Sequence, residues 1–422
     1  MKKKLVITFV TVVVLFVAYK QFKGTVAHWI YDNFVPHATL YPAADSPDQV
    51  CLTISGDPKT SVAVQWRASM AVTDGVVEYR ANGSETQAQI QAQRSTIADD
   101  LVKNDPRNAR FSAVLSGLQP GTEYEYRVGS MAANKWSDWA EFTTAPTSSQ
   151  KFSFVYWGDP QVGLDYWGQL VRNSYEHAPN AAFHLIAGDL VDNGGYRNQW
   201  DDFFSAGKGV FDQQPLAPAL GNHDYAKHHE PQMFLDLFTL PQNGPPGFPA
   251  ERAYSFEYSN ALFVVLDSNT HIDGQAQWLE ERLSSSNATW KFALYHHPAY
   301  SLKEHRDNPE VRKYWGTLFD EYHLDIAFEG HDHAYVRTHP MKNGAIAASP
   351  AEGTVYVMTV AGTKYYEQLD SEFAATSFEE VSTYQIIDIT TDPDRLVYRA
   401  YDFDGTVRDE FTIEKTASTA NN

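Results

Sequence analysis

Between residues 151 and 335, five short, largely apolar runs each end in a residue type that binds metal. Run 152–157 leads into Gly158-Asp159-Pro160-Gln161, and 183–187 into Gly188-Asp189-Leu190-Val191-Asp192. Run 216–220 leads into Gly221-Asn222-His223-Asp224, 292–295 into His296-His297-Pro298, and 326–328 through Gly330 into His331-Asp332-His333. Short runs without alternation, here also 262–266 and 355–360, are strands covered on both faces. Helical stretches at 167–177 and 275–283 lie between them, so the region is an α/β layering. In an open α/β sheet, groups placed just after successive strands converge on one crevice, whatever their separation in sequence. Singly, each motif reads as a turn or helix cap; five in one region do not. The single cysteine, Cys51, excludes an internal disulfide and Cys-based zinc sites. Imidazole, carboxylate and amide donors without thiolate suit Fe, Mn, Zn or a mixed pair.

The region 36–146 reads differently. Val62, Val64 and Trp66 alternate on one face and Thr122, Tyr124, Tyr126 and Val128 on another. Asp57-Pro58, Asn82-Gly83 and Pro120-Gly121 punctuate the runs, as in a small antiparallel sandwich. No histidine occurs from 38 to 143, so metal chemistry belongs to the second region, beyond a linker at Ser148-Ser149-Gln150. Lys and Arg number 33 against 53 Asp and Glu, and the net charge of −20 disfavours nucleic acid as a partner. At the amino terminus, Met1-Lys2-Lys3-Lys4 precedes an apolar run over 5–19. Lys20 and Lys23 stand where a cleavage site would be wanted, and Thr25-Val26-Ala27 lies beyond them. Residues 1–23 are therefore expected to be an uncleaved membrane anchor, with a cleaved signal as the alternative. The rest is expected to be extracytoplasmic, periplasmic or secreted, touching membrane only through this segment.

The stretch Leu118-Gln119-Pro120-Gly121-Thr122-Glu123-Tyr124, with Trp139 and Phe142-Thr143-Thr144-Ala145-Pro146, resembles a fibronectin type III domain. The five motifs in their order resemble the calcineurin-like metallophosphoesterase superfamily, and with a sandwich in front of them, the purple acid phosphatases. The fold implied is an all-β sandwich over 36–146 followed by an α/β metallophosphoesterase domain over 151–415, its sheets layered with helices and its metal site at strand carboxyl ends. By this resemblance Asp159 and His333 hold a first metal, Asn222, His296 and His331 a second, and Asp189 bridges them. His296 is preferred to His297 because it fits the family's His-x-Pro spacing. His223 faces the substrate, and His305, nine residues after His296, is a second substrate-facing histidine. The implied cofactors are two metal ions, Fe with Zn, Mn or Fe, and the implied partner is a small phosphate ester.

Two departures stand out. Asp192 replaces the tyrosine that purple acid phosphatases carry three residues after the bridging aspartate, and Tyr196 is not at the spacing to substitute, so a colourless or differently coloured enzyme is expected. Gln161 stands where many phosphodiesterase relatives carry histidine and many purple enzymes glycine. Asp192 either coordinates the first metal or orients a ligand by hydrogen bonding, the second reading being preferred.

An anionic ester approaching a chain of net charge −20 needs local positive charge, which a metal pair supplies. The implied activity is phosphate monoester hydrolysis by in-line attack of a metal-held hydroxide, with His223 and His305 stabilising the transition state or protonating the leaving oxygen. Phosphodiester cleavage and a non-catalytic surface protein are the alternatives. His177, His184, His271, His323 and His339 lack ligand spacing and read as core or surface histidines, and His228-His229 as a solvated loop. Tyr300, Tyr335 and Arg337 either line the pocket or support it.

Overall fold

In the computed structural model, which describes residues 36–225 and 230–415, the alternation of apolar run and ligand motif is realised by two stacked sheets rather than one. The anchor or signal expected over 1–23 and the pair His228-His229 lie outside the described residues. One sheet of the catalytic region carries Phe152–Trp157, His184–Ile186 and Leu216–Pro218 in parallel, flanked by the antiparallel strands Tyr384–Thr391, Asp394–Tyr401 and Val407–Lys415. The other has seven strands, with Ala261–Val265, Trp290–Leu294, Ile326–Glu329 and Val355–Met358 parallel at its centre.

Burial on both faces explains the apolar runs. Leu262, Val264 and Leu266 pack against Trp278, Leu279 and Leu283 of the helix Ala276–Ser285. Phe263 and Val265, one residue out of phase, turn to the opposite sheet. There Phe154 meets Phe263 and Phe328 edge-on, with ring centroids 5.3 and 5.9 Å apart. On the outer face of the first sheet Trp157 meets Trp167 of the helix Leu164–His177, which stacks in turn on Phe203 of the helix Arg197–Ala206.

In the sandwich, Val62, Val64 and Trp66 share one core with Tyr124, Tyr126 and Val128, as their alternation requires. Thr122 lies just outside the strand Glu123–Ser130. The sandwich is not a module merely resting on the second region, however. Its strand Asp48–Thr53 pairs in parallel with Leu216–Pro218 (Thr53 opposite Leu216), so a single sheet of ten strands runs through both regions. The amide of Ile54 donates to Leu216 O at 3.0 Å, and that of Leu52 to Phe211 O at 2.8 Å. A buried ion cluster reinforces the join. Arg67 forks onto Asp48 at 2.8 and 2.7 Å and reaches Asp201 of the neighbouring helix at 2.7 Å. Arg67 and Asp201 are both buried, and each keeps a second partner, Asp48 for Arg67 and Arg197 for Asp201, so the cluster ties strand and helix together as a network. No helix among the described residues is long and apolar enough to cross a membrane.

Candidate metal centre

The crevice lies at the carboxyl ends of the two sheets. Asp159, Asp189 and Asn222 leave the strands Phe152–Trp157, His184–Ile186 and Leu216–Pro218 of the first sheet, while His296, His331 and His333 leave Trp290–Leu294 and Ile326–Glu329 of the second. Convergence thus comes from the strand carboxyl ends of two stacked sheets lying side by side, not from the edge of one open sheet. His296 Nε2 lies 3.2 Å from Asp189 Oδ2, 3.1 Å from Asn222 Oδ1 and 3.1 Å from His331 Nδ1. His333 Nε2 lies 3.3 Å from Asp159 Oδ2. Ligand atoms of Asp189, His296 and His331 fall within 4.8 Å of one another, as do those of Asp159, Asp189 and His333; Asp189 belongs to both trios.

Local backbone demands explain the glycines and the strain. A side chain at Gly221 would place its first carbon 2.2 Å from Asp189 Oδ1, and one at Gly330 would stand 2.3 Å from Asp159 Oδ1, so only glycine lets these turns close over the carboxylates. Asp189, His331 and His333 adopt left-handed φ of 51, 79 and 48°, a conformation costing roughly 1–2 kcal/mol per residue. Hydrogen bonds hold them there. The amide of His331 donates to Asp159 Oδ1 at 2.8 Å and that of His223 to Asp189 Oδ1 at 2.7 Å. Asp224, which the sequence reads only as part of a turn, is buried and accepts the amides of Leu190 and Gly221 at 2.8 Å each, tying the Asp189 turn to the Asn222 turn. Glu329 accepts the Tyr295 hydroxyl at 2.6 Å and the Ala299 amide at 2.8 Å, fixing the turn that bears His296.

The imidazoles are aimed by their outer nitrogens. His296 Nδ1 is 2.8 Å from Ala187 O and His333 Nδ1 3.0 Å from Lys364 O. A carbonyl only accepts, so each Nδ1 carries the proton and presents Nε2 to the crevice. Asp159 and Asp189 are fully buried. Burial pushes the Asp159 carboxyl up; at Asp189 burial is outweighed by the adjoining His296, and the carboxyl is held down. Burial, followed by the neighbouring His296, drives His331 down, and burial with Lys364 takes His333 down to about 3. Against burial, Asp189 and Asp159 hold His296 up at about 10, and lone pairs of Asn222, Asp189 and His331 crowd its Nε2 at hydrogen-bond distance, so the cluster calls for positive charge. That is a donor set built for cations, and it fits a pair of them.

Comparison with known proteins agrees. Residues 47–144 match the family described as purple acid phosphatase, N-terminal domain, and residues 152–335 the calcineurin-like phosphoesterase family. The chain belongs to the purple acid phosphatase-like proteins of the calcineurin-like metallophosphoesterase superfamily. It is 24% identical over 321 residues to the Fe(3+)-Zn(2+) purple acid phosphatase 12 of Arabidopsis thaliana, covering 72% of this chain and 67% of the relative. It is 26% identical over 324 residues to the probable purple acid phosphatase 20 of the same plant, covering 72% of each. Among solved structures, the purple acid phosphatase PPD1 from yellow lupin (Lupinus luteus) seeds shares the fold, with a TM-score of 0.74 over 88% of this chain and 75% of the lupin chain at 18% identity.

Around the centre of this purple acid phosphatase-like chain, the remaining expectations divide. His223 stands at the rim, partly exposed, with Nδ1 2.7 Å from Asp192 O and 3.4 Å from Asp192 Oδ1. Asp192, itself half exposed, faces His223 rather than the crowded lone pairs. His305 is not among the residues brought together. Its φ of 64° turns the ring to solvent, 89% exposed, with Nε2 3.4 Å from Glu304. Arg306 enters in its place, donating to His331 O at 2.9 Å and to Asp332 at 3.1 Å. Sequence spacing gives no sign of Arg306, which shares its polar loop with Lys303. His297 Nδ1 lies 2.8 Å from Ser268 Oγ, and its ring centroid is 4.3 Å from that of His331. Tyr196 points away, its hydroxyl 3.3 Å from His37 Nδ1. His184 is a core residue between Trp157 and Gln214, and Tyr335 and Arg337 both engage Asp409, supporting the fold rather than lining the crevice.

Proposed function

We propose that this metallophosphoesterase hydrolyses phosphate monoesters at a dinuclear metal site in which Asp159 and His333 hold one ion, Asn222, His296 and His331 the other, and Asp189 both. The observation that carries the reading is the membership of Asp189 in two ligand trios that share no other residue. A pair of cations bound there would supply Lewis acidity to phosphoryl oxygens and lower the pKa of water towards about 7. The chain's own residues do the rest. Backbone amides fix both aspartates: that of His223 donates to Oδ1 of Asp189 and leaves its Oδ2 to the crevice, while that of His331 is shared between Oδ1 and Oδ2 of Asp159 at 2.8 and 3.1 Å. His223, with Nδ1 committed to Asp192, offers Nε2 to the leaving oxygen, and the Asp192 carboxylate steadies the ring when it carries a second proton. Arg306 braces the His331 turn and adds positive charge at the rim.

A cleft of about 680 Å³ opens beside the centre, lined by Tyr41, Gln161, Arg172 and Asp192 among others, and would take the organic part of the ester. The same space favours a second reading, cleavage of a diester with its additional substituent. Comparing kcat/KM for a monoester and a diester of the same alcohol tests the choice. Faster monoester cleavage is expected, and the reverse order would assign the protein to phosphodiesters. The metals proposed are Fe with Zn, Mn or Fe. The substrate is proposed to be met outside the cytoplasm, on the strength of Lys2 to Lys4 and the apolar run behind them.

A further inference from the structure

We infer that Gln161 is a ligand of the first metal through its side-chain oxygen, taking the place that Asp192 has left; this rests on the dinuclear reading above. Gln161 follows Asp159 by two residues and is buried, 4% exposed. Its backbone amide donates to Asp189 O at 3.1 Å, which fixes its Cα between the turns that carry the two aspartates. Its side-chain nitrogen lies 2.9 Å from His333 Nε2, the atom that also faces Asp159 Oδ2 at 3.3 Å. The Gln161 amide therefore reaches the point where the donors of the first half converge.

The other end of that amide is unsatisfied. Gln161 Oε1 is buried without a hydrogen-bond partner, a state that costs about 1–3 kcal/mol unless something repays it. Oxygen and nitrogen of an amide exchange places by a half-turn about χ3. In the turned orientation a neutral, hard oxygen stands beside His333 Nε2, the same chemistry that Asn222 brings to the second half. No other role accounts as well for a glutamine there. As a donor to His333 Nε2 it would compete with a metal for the lone pair that the Nδ1 contact to Lys364 O has aimed inward. Asp192 is not available for the same place, since it is half exposed and engaged with His223. An amide oxygen donates less charge than a phenolate, so the first site should be a weaker and more exchangeable one than a tyrosine-bearing centre.

The test uses the full chain stripped of metal and titrated with Mn²⁺ alone, bound ion being counted by calorimetry and by the electron paramagnetic resonance signal of the free ion. Wild type is expected to take up two Mn²⁺ per chain. Loss of a residue that merely orients a ligand weakens metal binding by about 10–100-fold, and Gln161→Leu, which removes the donor atom itself, should weaken one of the two sites by at least that much and leave the other unchanged. Gln161→Glu separates ligand from hydrogen-bond donor: it keeps the oxygen and loses the N–H, and should bind both ions at least as tightly as wild type. Wild-type binding of two ions by Gln161→Leu would overturn the inference, as would loss of one ion from Gln161→Glu with an unchanged far-ultraviolet spectrum. Failure of the wild type itself to bind two ions would overturn the dinuclear reading instead.

Discussion

Around His296, three partners crowd a single nitrogen: Asp189, Asn222 and His331 all bring a lone pair within 3.2 Å of Nε2. Around Asp159 the arrangement is thinner. His333 stands 3.3 Å away, Gln161 fills the space beside it, and Asp192 has turned aside to His223. The two halves share Asp189 and are fixed by the same device, an amide on Oδ1 of each aspartate. Apart from Asp189, each half has two charged or imidazole donors, Asp159 with His333 and His296 with His331; what separates them is the further donor, Asn222 at His296 and only Gln161 beside His333. The half around His296 keeps every ligand type the family resemblance calls for, and the half around Asp159 is where this chain departs from it. On the proposed dinuclear reading, the thinner half should set the sensitivity to chelators.

Substitutions can break that comparison or sharpen it. Asp189→Ala removes the one residue common to both halves. It should empty both and cut kcat/KM by roughly 10³-fold or more, checked by metal analysis beside a phosphate-ester assay. Retention of one full-affinity ion would show that the halves do not depend on a shared carboxylate. His223→Ala comes next: metal content should stay at the wild-type value while turnover falls by about 10²–10³-fold, the range of a general acid or transition-state donor. Asp192→Ala is a smaller change, because the carbonyl that holds His223 Nδ1 survives it. Turnover should fall by about tenfold at most with metal content unchanged, whereas loss of an ion would return Asp192 to the ligand set. His305→Ala should stay within about twofold of wild type in kcat and KM, its ring being 89% exposed.

The site was more legible in the sequence than the frame that carries it. Metal-ligand types directly after apolar runs, with glycines at 221 and 330, declare themselves because the chemistry needs short turns that close over carboxylates. The two-sheet stack did not show, since strands buried on both faces read alike whichever sheet they join. The parallel pairing of Asp48–Thr53 with Leu216–Pro218 joins segments over 160 residues apart and has no local signature. The helix Arg197–Ala206 was missed although Trp200, Phe203 and Phe204 have helical spacing, because five of its ten residues are charged or amide-bearing. His305 was placed by the family resemblance alone, nine residues after His296, and the structure leaves its ring 89% exposed. Asp224 entered only as the end of the Asn222 motif and Glu329 not at all, because a buried carboxylate is recognisable as a support only once its amide partners are known. Gln161 and Asp192 were flagged as departures from the sequence alone, but what each touches came from the fold.

The most direct measurement is metal content per chain in the native full-length protein, followed through chelation and reconstitution with hydrolysis of a simple phosphate monoester recorded at each stage. Two ions per chain, with activity lost as they leave and regained as they return, is the expected result. An active protein holding one ion or none, or activity indifferent to a chelator that removes both, would contradict a paired cluster centred on Asp189.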